Sequence, residues 1–571
     1  MSKVSAVWLP KSVIELRNYN RERFVADLLA GITVGLVALP LSMAFAISSG
    51  VLPQSGIYCA IVAGFLISAL GGSKTQVGGP TGAFVVVVAG IVAKYGTDGL
   101  YMCTLMGGVL LLALGITGLG SAVKFIPRPV VVGFTNGIAV LIASTQIKDF
   151  FGLSIAKVPG DFAARIGTLV EHFGTLSASA TALGVGSLVA IVLLNLKVKR
   201  IPGMVLVLVA ASLVAWLAKL PVETIQTRFG GIPSGLPHVS IPRFRPELIP
   251  VLLPSAITVA MLGAIESLLS AVVSDRMSKD KHNPNVELVA QGFANVASPL
   301  FGGLPATGAI ARTATSIRSG ATSPLAGIIH SATLLLILLV AAPIVQHVPL
   351  AVLAAILLVV SYNMGEWREI GAILKLTKSD ISVWLITFLL TVFADLTVAV
   401  EAGMILAALV YIRKVTATTT VAEVTPEYIE EGLDHSLQHK QIPAGVAIYR
   451  VHGPFLFGST DKLDLLESAI ETLPPVVILR LRNMTAIDAT GLAALENLSE
   501  LLHASGRHLI LCGMREQPER LMRQVRFTQH VGKRNIVANF AMALGRAERI
   551  LQRHQGLHIV GPERAMSPES D

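Results

Sequence analysis

Stretches of apolar residues that approach or reach the length needed to cross a bilayer recur along most of this chain, near 24–48, 55–70, 104–119, 129–147, 181–196, 203–218, 251–273, 325–346, 350–361, 381–394 and 396–412. A hydrocarbon layer about 30 Å thick takes about 20 residues of helix. Shorter pieces interrupted by glycine and proline lie between the runs. Only 14% of residues are charged and 53% are hydrophobic, with a mean hydropathy of +0.68, which a soluble globular chain of this size does not tolerate. The sequence is that of a multi-pass α-helical membrane protein.

The first run follows a basic segment holding Lys3, Lys11, Arg17, Arg21 and Arg23, and no small-residue cleavage site closes it before the next run. It reads as a retained helix rather than a signal peptide. Basic clusters recur at Lys124 and Arg128, at Lys197, Lys199 and Arg200, at Arg276, Lys279 and Lys281, at Arg368, Lys375 and Lys378, and at Arg413 and Lys414. Cytoplasmic turns are enriched in Lys and Arg, so these mark the inner face. The formal net charge of +9 is then a topology signal and an anchor for inner-leaflet lipid, not a nucleic-acid surface. Residues 150–175 and 221–250 read as ordinary extracellular loops. Three scattered cysteines, Cys59, Cys103 and Cys512, suggest neither a disulfide framework nor a metal cluster.

Beyond Lys414 the texture changes. The polar stretch TPEYIEEGLDHSLQHKQ gives way to short strand-like and amphipathic helical segments, the pattern of a small soluble α/β domain. The basic pair Arg413 and Lys414 places that domain in the cytoplasm.

Two stretches within the apolar part resemble each other: GGPTGAFVVVVAG at 78–90 and GGLPATGAIARTATSIRSG at 302–320. A shift of 226 residues carries Thr81, Gly82 and Ala83 onto Thr307, Gly308 and Ala309, and a shift of 225 carries ITV at 32–34 onto ITV at 257–259. The halves are read as a repeat, and a repeat of seven helices returns in inverted topology. Inverted repeats with short broken helices are a common construction of secondary transporters, which bind substrate where two half-helices meet. Glycine lets backbone approach a ligand, and proline (Pro80, Pro305, and Pro40 in the presumed bend of the first helix) tolerates a missing donor. The free N–H groups and dipole of a helix start form an anion site without a formal charge. The alternative is that such starts mark re-entrant turns or tight packing alone; two related motifs favour the anion site.

Charge within the spans is sparse. Glu266 is the single acidic residue in the middle of LPSAITVAMLGAIESLLSAVVSD. A carboxylate at that depth costs about 3 kcal/mol on insertion scales, so it is protonated, paired or lining a polar cavity. It is a coupling-group candidate or an interhelical structural group. The same shift of 226 maps it onto Pro40. Ser267 and Ser270, on the next turn, either ligate a coupling ion or bond back to their own helix. Arg312, one turn into the second half-helix, needs an anionic partner: a bound substrate, Glu266, or both in turn. His282, His330 and His347 are isolated and read as loop or packing residues. No nucleotide loop, spaced His/Cys metal set or nucleophile–base pair is present, so no cofactor, metal or enzyme activity is expected.

These motifs resemble the sulfate permease (SulP) family of anion transporters, which includes bacterial carriers of sulfate, bicarbonate and dicarboxylates. The likeness is carried by VALPLSMAFAISSG, GGPTGA, AIESLLSAVVSDRMSKDKHNPNVELVAQGFANVASPLFGG, PATGAIARTATSIRSGATSPLAG and AIDATG, and covers nearly the whole chain. It implies fourteen segments in two inverted seven-helix repeats, a core domain moving against a gate domain, and a small anion held between the third and tenth helices. By motif match the site is the backbone at Thr81, Gly82 and Ala83 and at Ala309, Ile310 and Ala311, with Arg312 nearby and Glu266 at the eighth-helix coupling position. Glutamate there favours proton over sodium coupling. Ala38 stands where many sulfate and chloride carriers have Gln, so the first helix looks more like the bicarbonate and dicarboxylate branches. The tail resembles a STAS domain. Its loop reads Asp488, Ala489, Thr490, Gly491, and Ala489 stands where related domains are phosphorylated. Dimer contact, trafficking or a cytoplasmic protein partner are its expected roles.

The expected organisation is a cytoplasmic N-terminus at 1–23, a transport domain at 24–415 with repeats at about 24–220 and 250–415, a linker at 416–440, a STAS domain at 441–555 and a flexible tail at 556–571. The expected function is secondary active anion transport (sulfate, bicarbonate or C4-dicarboxylate class) by proton-coupled symport and alternating access. Sodium-coupled bicarbonate symport or an uncoupled anion channel are the alternatives. The expected setting is a bacterial inner membrane, with both termini cytoplasmic and a homodimeric assembly.

Overall fold

The first apolar run folds as one 28-residue helix, α1 (Arg21–Ser48), started by the Asn20 side chain, which accepts from the Arg23 amide. The computed structural model describes residues 8–119, 127–156, 158–197, 203–233, 235–240, 242–243, 245–394, 396–424 and 442–554; the expected tail at 556–571 and most of the expected linker lie outside them. Ahead of α1 a short helical turn covers Lys11–Glu15. The chain continues through α2 (Pro53–Leu70), strand β1 (Gly78–Gly79) and α3 (Gly82–Ile116), which breaks at Gly96, where φ is +70°. Next come α4 (Arg128–Phe151), α5 (Ala178–Lys197), α6 (Gly203–Leu217), α7 (Ile249–Ser278) and α8 (Pro284–Leu300). Strand β2 (Thr307–Gly308), α9 (Ile310–Arg318), α10 (Leu325–Val345), α11 (Leu350–Met364), α12 (Lys378–Phe393) and α13 (Leu396–Ala417) complete the apolar part.

Among the described residues, eight helices are long and apolar enough to cross a membrane. Three expectations change. Pro40 lies inside continuous α1 and does not break it. A buried proline removes one backbone hydrogen bond, a loss that neighbouring helices tolerate in a membrane. The shift of 226 residues is short: α3 begins at Gly82 and α9 at Ile310, and β1 at Gly78 and β2 at Thr307, so equivalent elements lie two or three residues further apart. The stretches at 150–175 and 221–250, read as ordinary loops, carry short helices, Phe162–Glu171 and Ile225–Phe229, started by the side chains of Asp161 and Thr224.

Two groups of helices emerge from the packing. Helices α1, α2, α3, α7, α8, α9 and α10 pack mainly on one another, and α4, α5, α6, α11 and α12 form the second group. Within the first, α3 and α8 approach until their backbones touch. A Cβ on Gly108 would lie 2.8 Å from the Val296 amide nitrogen, and one on Gly292 would lie 2.7 Å from the Leu112 amide nitrogen. Small residues at such seams replace the missing hydrophobic drive in lipid with close van der Waals contact.

The chain divides into two compact units, Met1–Ala407 and Ala408–Asp571. The second holds a five-stranded sheet in the order β3 (Thr420–Glu423), β4 (Val446–Phe455), β5 (Val476–Ile487), β6 (His508–Cys512) and β7 (Ile536–Val537). Strand β3 is antiparallel to β4 and the remaining pairs are parallel. Strand β3 lies in the expected linker; TVAE alternates too briefly to stand out from the helix before it and is fixed as a strand by pairing with β4. Along β5, Val477, Leu479 and Leu481 pack with Leu492, Leu495 and Leu498 of α14 (Ala489–Ala504), while Val476 and Ile478 pack with Ala543, Ala547 and Ile550 of α16 (Phe540–His554); α15 (Glu516–Gln524) adds Met522 to the first layer. This two-sided burial is that of a small α/β layer fold.

The α3–α8 seam predicts that Gly108→Leu, which forces a side chain into backbone, reduces the yield of monodisperse detergent-extracted protein several-fold, an overpacking loss of about 1–3 kcal/mol or more. Gly90→Leu, at a position with no neighbour within 4 Å of an added Cβ, leaves the yield near wild type. Size-exclusion profiles of the two variants compare these outcomes.

Candidate functional site

The two glycine-rich motifs meet. Strands β1 and β2 pair antiparallel, Gly78 opposite Gly308 and Gly79 opposite Thr307, and the Ala309 amide donates to the Val77 carbonyl at 2.9 Å. From this pair the chain enters α3 after Thr81 and α9 after Ala309. Both flanking residues are extended, and neither helix start is capped by its side chain. Each start therefore keeps N–H groups without an intrahelical partner, at Gly82 and Ala83 on one side and at Ile310 and Ala311 on the other.

Small side chains are needed here for steric reasons. A Cβ on Gly79, whose φ is +144°, would come within 2.5 Å of an Arg312 nitrogen. One on Gly82 would lie 2.9 Å from Ile142 Cδ1, 3.0 Å from Met364 Sδ and 3.4 Å from Phe45 Cε1. Ile142 is on α4 and Met364 on α11, so the start of α3, in the first helix group, faces the second. Ala83, Thr81 and Ala309 are buried, whereas Ile310 and Ala311 are exposed and Glu266 is partly so. The α9 side of the pair is thus the accessible one.

Glu266, on α7, reaches this point: Thr81 Oγ1 donates to its Oε2 at 2.7 Å. Arg312 does not take Glu266 as its hydrogen-bonding partner. Its guanidinium, 2% exposed, donates to the carbonyls of Gly78 and Pro80, the two residues flanking Gly79. The cation braces the turn into α3, and its charge lies close enough to interact with that of Glu266. Pro80 lies just before α3, and Pro305 lies before β2 and α9. Ser270 bonds Thr313 at 3.1 Å, and Thr313 also accepts from the Val77 amide. Ser267 bonds Thr307 at 2.7 Å and accepts from the Gly308 amide. Both serines therefore tie α7 to the strand pair and α9. No group of three or more His, Cys, Asp or Glu that could hold a metal occurs among the described residues.

Sequence reading missed the support of the strand pair. Asn295, on α8, donates to the Ala306 carbonyl and accepts from the Ala306 amide, both at 2.8 Å. Ser298 Oγ donates to the Leu304 carbonyl at 2.6 Å. A signal was present: Glu287, Gln291, Asn295 and Ser298 fall on one stripe of a membrane helix at helical spacing, and all are 0% exposed. In the second unit, Asp488 starts α14, accepting from the Gly491 amide at 2.8 Å and the Phe457 amide at 3.0 Å. Thr490 is exposed, and Gly491 is required because a Cβ would lie 2.4 Å from the Phe455 carbonyl oxygen. The loop is a helix start with a sterically fixed glycine.

A helical membrane unit with two broken helices meeting through a strand pair is the architecture of a membrane transport protein. The chain belongs to the sulfate permease family, a family of transporters and not of enzymes: residues 24–387 match the family and residues 438–543 match the STAS domain. The YvdB protein of Bacillus subtilis (strain 168), whose name assigns it provisionally to sulfate transport, is 40% identical over 91% of this chain and 97% of its own. The bicarbonate transporter BicA of Picosynechococcus sp. is 28% identical over 88% of this chain and 91% of its own. Among solved structures, the transmembrane domain of a cyanobacterial BicA is 30% identical and superposes with a TM-score of 0.60 over 68% of this chain and 98% of that one. The murine anion transporter Slc26a9 shares the fold over 96% of this chain and 95% of its own, with a TM-score of 0.84 at 18% identity.

The Asn295 clamp predicts that Asn295→Ala, which leaves the buried N–H and C=O of Ala306 unpaired, destabilises the apolar unit by about 2 kcal/mol or more, the usual desolvation cost of such groups. A thermal-unfolding midpoint in detergent several degrees below wild type is the expected result; an unchanged midpoint contradicts the clamp.

Proposed function

We propose that this protein is a secondary active transporter of small anions of the sulfate, bicarbonate or C4-dicarboxylate class, working by proton-coupled symport and alternating access. The observation that carries the reading is the β1–β2 pairing, which joins two uncapped helix starts beside Arg312 with Glu266 hydrogen-bonded to Thr81. Anions are stabilised at such N–H groups and positive dipole ends. The first helix group, with this site on its surface, is taken as the core that moves against the second, the gate. Membership of the family and relatives named for sulfate and bicarbonate transport support the substrate class.

Coupling follows from the charge count. With Glu266 ionised, its charge and that of Arg312 offset each other. Protonating Glu266 leaves the arginine charge unopposed beside the helix starts, which favours an anion, and the bound anion in turn favours the proton. Such coupling is reciprocal and makes proton and anion enter and leave together. The setting is the inner membrane of a bacterium with both termini cytoplasmic, in a homodimer. The STAS domain serves contact or partner docking, since Ala489 has no hydroxyl to phosphorylate.

The test is uptake into proteoliposomes of labelled sulfate, bicarbonate and fumarate under an inward proton or sodium gradient, with Glu266→Gln alongside. Accumulation of one anion with protons in wild type, lost in Glu266→Gln while downhill exchange survives, is the expected result. Accumulation driven by sodium alone moves the chain to sodium-coupled bicarbonate symport. Flux that only ever runs downhill and ignores the substitution replaces the carrier with a channel.

A further inference from the structure

Two buried carboxylates outside the site share one geometry. Asp27, on α1 and 0% exposed, accepts from the amides of Thr322 and Ser323 at 2.5 and 3.1 Å, from their hydroxyls at 3.2 and 2.5 Å, and from the Tyr19 hydroxyl at 2.7 Å. Thr322 and Ser323 lie just beyond the C-terminal end of α9. Glu287, on α8 and 0% exposed, accepts from the amides of Gly72 and Ser73 at 3.0 and 3.2 Å and from the Gln291 side chain at 2.9 Å. Gly72 and Ser73 open the loop that runs into β1 and α3.

The arrangement is crossed. A carboxylate from the first half of the chain holds the exit of the half-helix from the second, and a carboxylate from the second half holds the approach to the half-helix from the first. Each loop presents successive backbone N–H groups to one carboxylate, the charge-assisted arrangement that fixes a loop most firmly. A close approach reinforces the second: a Cβ on Gly72 would lie 2.2 Å from the Asn283 carbonyl oxygen. From there the loop is tied onward, with Ser73 and Thr75 both bonded to Ser274 of α7, the helix that carries Glu266.

We infer that Asp27 and Glu287 are positioning residues for anion binding: Asp27 locks the exit of α9 and Glu287 the approach to α3, so that the two helix starts keep the spacing that an anion between them requires. The inference rests on the anion-site reading above. It differs from a general stabilising role, because a loosened anchor shifts one half-helix relative to the other and weakens the site in protein that is still folded.

The experiment measures the concentration dependence of labelled sulfate and bicarbonate uptake in proteoliposomes for wild type, Asp27→Asn and Glu287→Gln, whose amides turn a donor toward the loop N–H groups. Thr322→Val and Ser323→Ala, which each remove one hydroxyl donor to Asp27, together with the acceptor for Arg23 Nε or for the Leu325 amide, and leave the carboxylate in place, keep the test open should the first pair not fold. The expected result is a KM raised about tenfold in the carboxylate variants and about twofold in the hydroxyl variants, with Vmax per folded protein within about twofold of wild type. A fall in Vmax or in folded yield with KM unchanged in all variants that fold overturns the inference and leaves the carboxylates a purely structural role. Gly82→Val, which fills the α3 start, separates the two readings. If it abolishes saturable uptake while the anchoring variants keep a wild-type KM, only the positioning inference fails; if it leaves uptake intact, the site reading fails and the inference goes with it.

Discussion

Four residues in two strands organise the membrane unit. Gly78–Gly79 and Thr307–Gly308 come from points more than two hundred residues apart, yet their backbone pairing decides where two helices begin. In a bilayer a non-helical backbone must find partners inside the protein. The strand pair supplies some of them, Asn295, Ser267 and Thr313 supply others, and Arg312 takes the carbonyls of Gly78 and Pro80. The groups left over are the N–H groups of the two helix starts.

The same economy governs charge. Arg312 has a structural task and an electrostatic one at once: it braces the turn before α3 and places a positive charge beside both helix starts. Glu266 is held by one hydrogen bond from Thr81, whereas Asp27 and Glu287 are each held by several. The three acidic groups thus differ in how many hydrogen bonds hold each one in place.

Much of this was legible in the sequence because apolar length and glycine–proline punctuation are local signals. The apolar spans, the soluble domain and the two glycine-rich helix starts all followed from them. What escaped reading depends on contacts between distant segments. Nothing local says that Gly78 pairs with Gly308, that Arg312 turns to backbone carbonyls, or that TVAE becomes a strand. Pro40 was expected to break α1, because proline breaks helices in water and the buried packing that tolerates it cannot be read from one strand of sequence. The polar stripe from Glu287 to Ser298 is a local signal as well, visible when its four polar residues are taken together at helical spacing.

The central claim is that an anion is held on the backbone of two facing helix starts. It is tested most directly by a diffraction structure of the protein soaked with selenate, whose anomalous signal locates the anion. The account predicts a peak about 3 Å from the amide nitrogens at Gly82 or Ala83 and at Ile310 or Ala311 together, the distance of an N–H···O hydrogen bond. A peak elsewhere in the membrane unit, with both helix starts empty, contradicts it.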